Sequence, residues 1–382
     1  MNFSIQASDA IGLRSLFGNN KGFSSLLSRR GSLVYVSPDI GGSDFIRVVS
    51  PIMCNPLLEV DNKFCLRDLK LLNDGACDRI SPKALKYGRL VFLVSRNKID
   101  SVSLDALLEI KKRYGCKLIV DMDDDLFGIS KEHPQYQEYL SELAKLKKLL
   151  RAADLLVSST DEVAEGVRNE DLEVPAVVIP NYLDDRIWPL NMKAPSYTGG
   201  PIRILYSGTE THDGDLRLLE PLVPRIADRV SQLTGRNVEF HVVGGTTLDI
   251  PGLIVHKVPD EVRRYDRFVH WLLDTGKYHL AVAPLRLDNR LNHAKSNLKF
   301  LEYSAMGLPC VYSSIEPYFK TIEDGVDGYL IEDNDQDQWV ERVCSLATND
   351  RLRESMGIAA YTKLTKHYLL SNHMLEWNQM FH

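Results

Sequence analysis

No stretch of this chain approaches the ~20 consecutive apolar residues that a bilayer-spanning helix needs. Its longest apolar runs, such as Leu90–Val94, are strand-sized. The opening MNFSIQASDAIGLRSLFGNN lacks the charged start and continuous apolar core of a signal peptide. Together these absences set the expectation of a cytoplasmic protein. Cysteine is scarce: Cys54, Cys65, Cys77, Cys116, Cys310 and Cys344 form no C-x-x-C and no paired Cys/His spacing. That argues against a disulfide framework and against a structural zinc site. Cys116 and Cys310 border strand-like runs and read as small buried hydrophobes. Positive charge is not in excess either. The formal net charge is −6, with no basic stripe of the kind a nucleic-acid binder carries. A P-loop, G-x-G-x-x-G, H-E-x-x-H and the Ser/His/Asp or Cys/His spacings of hydrolases are likewise missing.

What is present is the composition of a globular protein, with 44% hydrophobic and 26% charged residues. A chain of 382 residues implies two or three domains at ~150 residues each. Two stretches share one grammar, in which an apolar run is followed by a glycine turn and then a helical pattern. The first is Ser32–Val36 with Gly41 and Gly42 after it, and the second is Ile202–Tyr206 with Gly208. An α/β domain begins this way when its first loop must let a ligand approach the backbone. Further strands are expected at Leu90–Val94, Lys117–Val120, Leu155–Ser158 and Ala176–Ile179. Helices are expected at Leu104–Tyr114, Gln135–Arg151 and Asp161–Val167. Strands alternating with helices mean a parallel sheet covered on both faces.

The segment RIWPLNMKAPSYTGGP at 186–201 breaks this pattern and reads as a linker. Strands are then expected at Ile202–Tyr206, Val238–Val243, Leu253–His256, Leu280–Ala283 and Cys310–Ser313, with helices at Leu298–Ala305 and Asp337–Ala347. The fold class is therefore α/β, with two tandem Rossmann-like, doubly wound domains facing a cleft. The domains are 1–185 and 202–357, and 358–382 is a helix crossing back to the first. The mildly basic first thirty residues read as a peripheral lip on that first domain.

The segment AKSNLKFLEYSAMGLPCV at 294–311 is the most informative. Ser296 and Asn297 are good N-cap types, so a helix starting there would point backbone N–H groups at a phosphate. Lys295 and Lys299 flank the same end and suit a diphosphate. Glu302 can accept hydrogen bonds from sugar hydroxyls, or it can form an i,i+3 surface ion pair with Lys299. Asp121-Met122-Asp123-Asp124-Asp125 follows a strand, so its carboxylates emerge where α/β ligands bind. They could hold a metal, face a donor sugar or acceptor hydroxyl, or pair with Arg47 and Arg96 while Asp125 caps a turn. Gly41 and Gly42 either let the loop approach a ligand or serve a tight turn that needs positive φ. His212 and Asp213 either contact ligand or cap a helix. Lys145, Lys147, Lys148 and Arg151 form a solvated helix face or a surface for anionic lipid.

The segment KSNLKFLEYSAMGLPCV resembles the donor-site motif of GT-B glycosyltransferases, specifically the retaining GT4 family (glycosyl transferases group 1). There an E-x7-E pattern runs into EA-x-A-x-G-x-P-V. Ile179-Pro180-Asn181-Tyr182-Leu183-Asp184 is similar to that family's IPNGVD. The strand and helix at Ala153–Val167 and the segment GVDGYLIEDND at 325–335 are similar in order as well.

The resemblance implies a retaining transfer of a sugar from a nucleotide diphosphate-sugar to a hydroxyl of a glycan or glycolipid, in bacterial surface polysaccharide synthesis. The second domain would bind the donor and the first the acceptor. Glu302 aligns with the second Glu of E-x7-E, similar to the residue that holds the ribose, and Ala294 stands where the first Glu usually lies. The loop Tyr206-Ser207-Gly208-Thr209 lacks the family's Arg, leaving Lys295, Lys299 or Arg286 to supply positive charge. Asp123, Asp124, Lys299 and Glu302 are expected at the reacting centre. Gly41, Gly42, Gly208, Thr209, Arg286, Lys295, Ser296 and Asn297 are expected at the donor, and Arg47, Arg96 and Asp121 at the acceptor. No metal and no cofactor beyond the donor co-substrate is expected, nor any nucleic acid. Peripheral contact with the cytoplasmic face of the membrane is an open expectation. The alternatives are a nucleotide-sugar epimerase of the same fold and a non-catalytic, glycosyltransferase-like binding subunit.

Overall fold

The structure is a computed structural model, and it describes residues 32–37, 40–60, 62–66, 90–96, 98–131, 133, 135–190 and 199–381. The basic N-terminal stretch and Cys77 lie outside these residues. The described chain divides into two compact units.

The first unit comprises 1–123, 140–180 and 374–382. Its strands are β1 (Ser32–Val36), β2 (Asn62–Leu66), β3 (Leu90–Ser95), β4 (Lys117–Met122), β5 (Leu155–Ser158) and β6 (Ala176–Val178). They form one sheet in the order β2-β1-β3-β4-β5-β6, parallel throughout. All six residues of β3 are buried, as expected of a strand covered on both faces. Helix α1 (Ser101–Tyr114) starts where the Asp100 carboxylate accepts the Val102 and Ser103 N–H groups and stops at Gly115, in the left-handed region at φ 68°. Helix α2 (Tyr136–Ala152) precedes β5. Helix α3 (Asp161–Arg168) is capped by the Thr160 hydroxyl.

After β1 the chain turns through Gly41 into a wide-wound helical segment, Phe45–Met53. Its Cys54 N–H bonds five residues back, to the Val49 carbonyl, at 2.8 Å. Pro51 lies inside it and has no N–H to donate.

The second unit comprises 124–139 and 181–373. Its strands are β7 (Ile202–Gly208), β8 (Val238–Gly244), β9 (Leu253–Lys257), β10 (Leu280–Ala283), β11 (Cys310–Ser313) and β12 (Tyr329–Ile331). Their order is β12-β11-β10-β7-β8-β9, again parallel. The chain starts in the middle and builds outwards in both directions, so the strand order reverses between β7 and β10. In such sheets ligands bind beyond the carboxyl ends of the strands at that point. One core runs under this sheet, with Ile204, Val282, Val311, Trp339 and Val343 all essentially inaccessible. Helices α4 (Leu222–Thr234), α5 (Tyr265–Thr275), α6 (Leu298–Ala305), α7 (Gln336–Thr348) and α8 (Asp350–His367) cover it.

The unit boundaries differ from those drawn on the sequence. Helix α8 runs unbroken through position 357 and belongs to the second unit. There Gly357 comes so close to the Gly307 carbonyl that a Cβ would sit 2.4 Å from its oxygen. Only the short stretch from Met374 onwards belongs to the first unit. Two strands, β2 and β12, also lie where the sequence pattern raised no expectation. Both are edge strands.

Candidate functional site

In the second unit the carboxyl ends of β7 and β10 carry three loops and the start of α6. The β7 loop is tied to its neighbours by carboxylates. Asp213 accepts the Thr246 hydroxyl at 2.5 Å, and its other oxygen accepts the Thr247 N–H at 2.9 Å. Asp215 accepts the Arg286 N–H at 2.9 Å and the Asn292 side-chain amide at 2.7 Å. His212 Nδ1 lies 3.3 Å from the second Asp215 oxygen. Burial opposes ionisation of Asp215, yet His212, the Arg286 N–H and the charge of Lys295 hold its pKa below the ordinary range. His212 is pushed down by Lys295 first and by burial second, with Lys299 adding to the effect. Its imidazole is therefore kept neutral beside two lysines.

Gly208 closes β7 and pairs with Gly244 at the end of β8. The contact is a close one between backbones. Gly244 has φ 127°, and a Cβ there would fall 1.9 Å from the Gly208 oxygen. A Cβ on Gly208 would meet the Tyr206 ring at 2.9 Å. Glycine is required here by packing against the neighbouring strand and ring. Thr209 follows at the foot of the loop, its hydroxyl 2.8 Å from that of Thr211.

Helix α6 spans the residues that its sequence pattern indicates. Asn297 occupies the N-cap position without a side-chain cap; its amide instead donates to the Thr321 hydroxyl at 3.2 Å. The Ser296 hydroxyl accepts the Asn181 amide at 2.8 Å. First-turn N–H groups have no partner within a helix, so an uncapped start is ready for an anion. Lys295 and Lys299 stand beside it, as their joint pull on His212 records.

Glu302 is 2% exposed. One of its oxygens takes Lys299 Nζ at 3.2 Å, and the other takes the Tyr265 hydroxyl at 3.1 Å. The pair with Lys299 exists, therefore, with the carboxylate buried and the lysine partly exposed. Tyr265 is held in turn by the Trp188 indole N–H at 3.3 Å. Burial and the Glu302 carboxylate keep the Tyr265 hydroxyl protonated. Tyr303, next to Glu302, accepts the Ser207 N–H at 2.9 Å and so fixes the end of β7 against α6. Ala294 is buried, whereas Arg286 is engaged bidentately by Asp288 at 2.9 and 2.8 Å on the surface.

The acidic run after β4 separates into individual partnerships. Asp121 and Arg47 are each 1% exposed, with Arg47 Nη2 at 2.8 Å and Nε at 3.2 Å from the carboxylate. Arg47 also donates to the Ile179 carbonyl at 2.6 Å and lies over the Trp377 ring at 5.0 Å. The pair ties the helical segment after β1 to the end of β4 inside the first unit. Arg96 pairs with Asp123 at 3.2 Å, and both are mostly buried. Asp125 accepts the Phe127 N–H at 3.2 Å, capping a turn, and binds Arg290 at 2.7 Å. Asp124 is half-buried, and its charge reaches His133. Each acid thus has its own surroundings. Among the described residues no group of three His, Cys, Asp or Glu side chains is placed to hold a metal ion.

In the first unit Gly41 has an extended backbone at φ −86°, and Gly42 is not in the left-handed region either. The turn does not use glycine for positive φ. The Asp44 carboxylate builds it instead, accepting the Gly41 N–H at 2.7 Å, the Tyr35 hydroxyl at 2.8 Å and Lys98 at 2.5 Å. Nothing lies within 4 Å of a Cβ placed on Gly42. On α2 the three lysines of the basic face pair locally, Lys147 with Glu170 at 2.7 Å, Lys148 with Asp105 at 2.5 Å and Lys145 with Glu142. No helix among the described residues is long and apolar enough to cross a membrane.

Comparison with known proteins finds a likeness for part of the second unit. Residues 201–349 match the family described as glycosyl transferases group 1. No curated protein sequence matches the chain, but solved structures do. Sucrose-phosphate synthase from Thermosynechococcus elongatus superposes with a TM-score of 0.59 at 12% identity, over 92% of this chain and 98% of that one. HepE from Anabaena, in complex with UDP and glucose, gives 0.55 at 11%, over 91% and 98%. TarM of S. aureus gives 0.53 at 13%, over 77% of this chain and 55% of TarM, so the chain spans about half of that protein's length. The two parallel sheets are those of the GT-B fold. Tyr265 and Trp188, which support Glu302, and Arg290 and His133, which neighbour the β10–α6 loop, are residues that sequence reasoning passed over. Only Tyr265 and Trp188 carried a signal, as aromatic residues with a polar atom that must find a partner when buried.

Proposed function

We propose that this protein transfers a sugar from a nucleotide diphosphate-sugar to a hydroxyl of a glycan or glycolipid, with retention, as in the GT4 family. The observation that carries the proposal is the start of α6. It has an uncapped first turn, Lys295 and Lys299 beside it, and the buried Glu302 one turn further on. Charge develops on the departing diphosphate, and fixed N–H dipoles and ammonium groups stabilise it without reorganising. Glu302, held by Tyr265 and Lys299, presents a carboxylate suited to ribose hydroxyls. His212 stays neutral beside the same lysines and so leaves their charge to the phosphates.

The first unit presents the acceptor, and bacterial surface polysaccharide is the setting we favour. HepE was solved with UDP and glucose, and the GT-B fold shared with it makes UDP-sugars the first donors to test. No metal is required in this scheme, because lysines and helix N–H groups carry the phosphate charge. The test is nucleotide release from a panel of nucleotide sugars, comparing the wild type with Glu302→Gln, with and without EDTA. Release from one donor, reduced at least about a hundredfold in the variant and insensitive to EDTA, is expected. Release that Glu302→Gln leaves intact would remove the ribose role. Loss with EDTA, restored by Mn²⁺, would return the acidic run after β4 to consideration as a metal site.

A further inference from the structure

The segment 124–139 follows β4 in the chain yet belongs to the second compact unit. It meets the β10–α6 loop of that unit where the Asp125 carboxylate, 1% exposed, binds Arg290 Nε at 2.7 Å. Gly128 lies beneath this pair so closely that a Cβ would come within 2.6 Å of Asp125 Oδ2 and 2.9 Å of Arg290 Cγ.

Arg290 opens the four-residue helical turn Arg290–His293, which Asn289 caps. The turn is fixed on its other sides as well. Asn292 donates to Asp215 at 2.7 Å and to the Arg286 carbonyl at 3.0 Å. His293 bonds Glu316 at 2.5 Å and the Leu287 carbonyl at 2.7 Å. The Lys295 N–H returns to the Asn292 carbonyl at 3.3 Å. Lys295 is therefore mounted directly on the turn that Arg290 begins.

We propose that Asp125 and Arg290 are a positioning pair for the donor diphosphate, holding the β10–α6 loop so that Lys295 faces the phosphates. Neither residue touches the donor. The buried carboxylate takes up the arginine's charge and pins the loop, and the loop aims the lysine. This inference rests on the donor-site reading above. It gives the last acid of the run at the end of β4 a function that needs neither metal nor acceptor.

The experiment is calorimetric binding of UDP, GDP and ADP and their monophosphates to the full chain. The wild type is compared with Asp125→Asn, Gly128→Ala and Arg290→Lys. Asp125→Asn removes one carboxylate charge from beside a half-exposed arginine, so the fold should persist. Gly128→Ala displaces the pair without removing a charge. For whichever diphosphate the wild type binds, both variants should weaken it about tenfold. The matching monophosphate should change less than about twofold, because it lacks the outer phosphate that Lys295 would no longer reach. Arg290→Lys, which keeps the charge, should stay close to wild type. Equal binding of the diphosphate by Asp125→Asn overturns the proposal, as does equal weakening of both nucleotides. If the wild type binds none of the three diphosphates, the donor-site reading fails by itself.

Discussion

The pairing of Arg47 with Asp121 decides between a structural and a substrate-binding role, and it can be tested by removing one charge. Asp121→Asn keeps the shape and loses the counter-ion. Arg47 would remain a guanidinium with 1% of its side chain exposed, facing the Ile179 carbonyl, the Trp377 ring and an amide oxygen in place of the carboxylate. Breaking a buried pair by neutralising one partner costs about 3–5 kcal/mol. At ~2–4 °C of melting temperature per kcal/mol for a unit of this size, the loss is about 6–20 °C. Differential scanning calorimetry of the wild type and the variant reads this directly. The double variant Arg47→Met, Asp121→Leu should recover most of the loss, since apolar replacements of similar volume avoid burying charge. A variant that melts within about 2 °C of wild type but binds acceptor more weakly would refute the structural role.

Two further outcomes are expected. His279 accepts the Arg203 N–H on Nδ1 at 3.0 Å, and burial, with Arg353, Arg236 and Arg203 adding to it, pushes its pKa down to about 4. Its unfolded value is ~6.5, so between these limits the unfolded chain binds the extra proton and stability rises with pH. The contribution is complete above about pH 6.5, amounts to roughly 3 kcal/mol at most, and is lost as pH falls towards 4. The urea midpoint of the wild type should therefore fall relative to that of His279→Gln as pH drops from about 6.5 towards 4; parallel profiles would exclude this residue as the source. Gly244→Ala should cost at least ~2 kcal/mol, because its Cβ would fall 1.9 Å from the Gly208 oxygen. An unchanged urea midpoint would show that the two loops separate freely.

Much of the fold was legible in the sequence wherever a strand or helix is buried. Strands β5, β10 and β11 and helix α6 fall on the spans that their apolar patterns indicate. A central strand covered on both faces must be apolar at nearly every position, so its ends are marked by the first polar residues. The overlooked strands β2, NKFCL, and β12, YLI, are short and lie at sheet edges. β2 opens on Asn-Lys and β12 is three residues inside a polar segment, so neither forms an apolar run, whereas the edge strands β6 and β9 begin with one.

The candidate site divides in a similar way. The sequence by itself located the start of α6, because N-terminal cap chemistry and an i,i+3 Lys–Glu spacing are local properties, and the residues flanking it suited a phosphate. It could offer only a choice of partners for the carboxylates of the acidic run after β4. Tertiary structure made that choice, burying Asp121 against Arg47, setting Asp123 beside Arg96, and joining Asp125 to Arg290 far along the chain. It also buried the carboxylate of Glu302, one candidate partner of Lys299, and closed it with Tyr265. Charge partnerships depend on distance in space and on exclusion of water, and a linear spacing records neither once the partners lie beyond a helical turn.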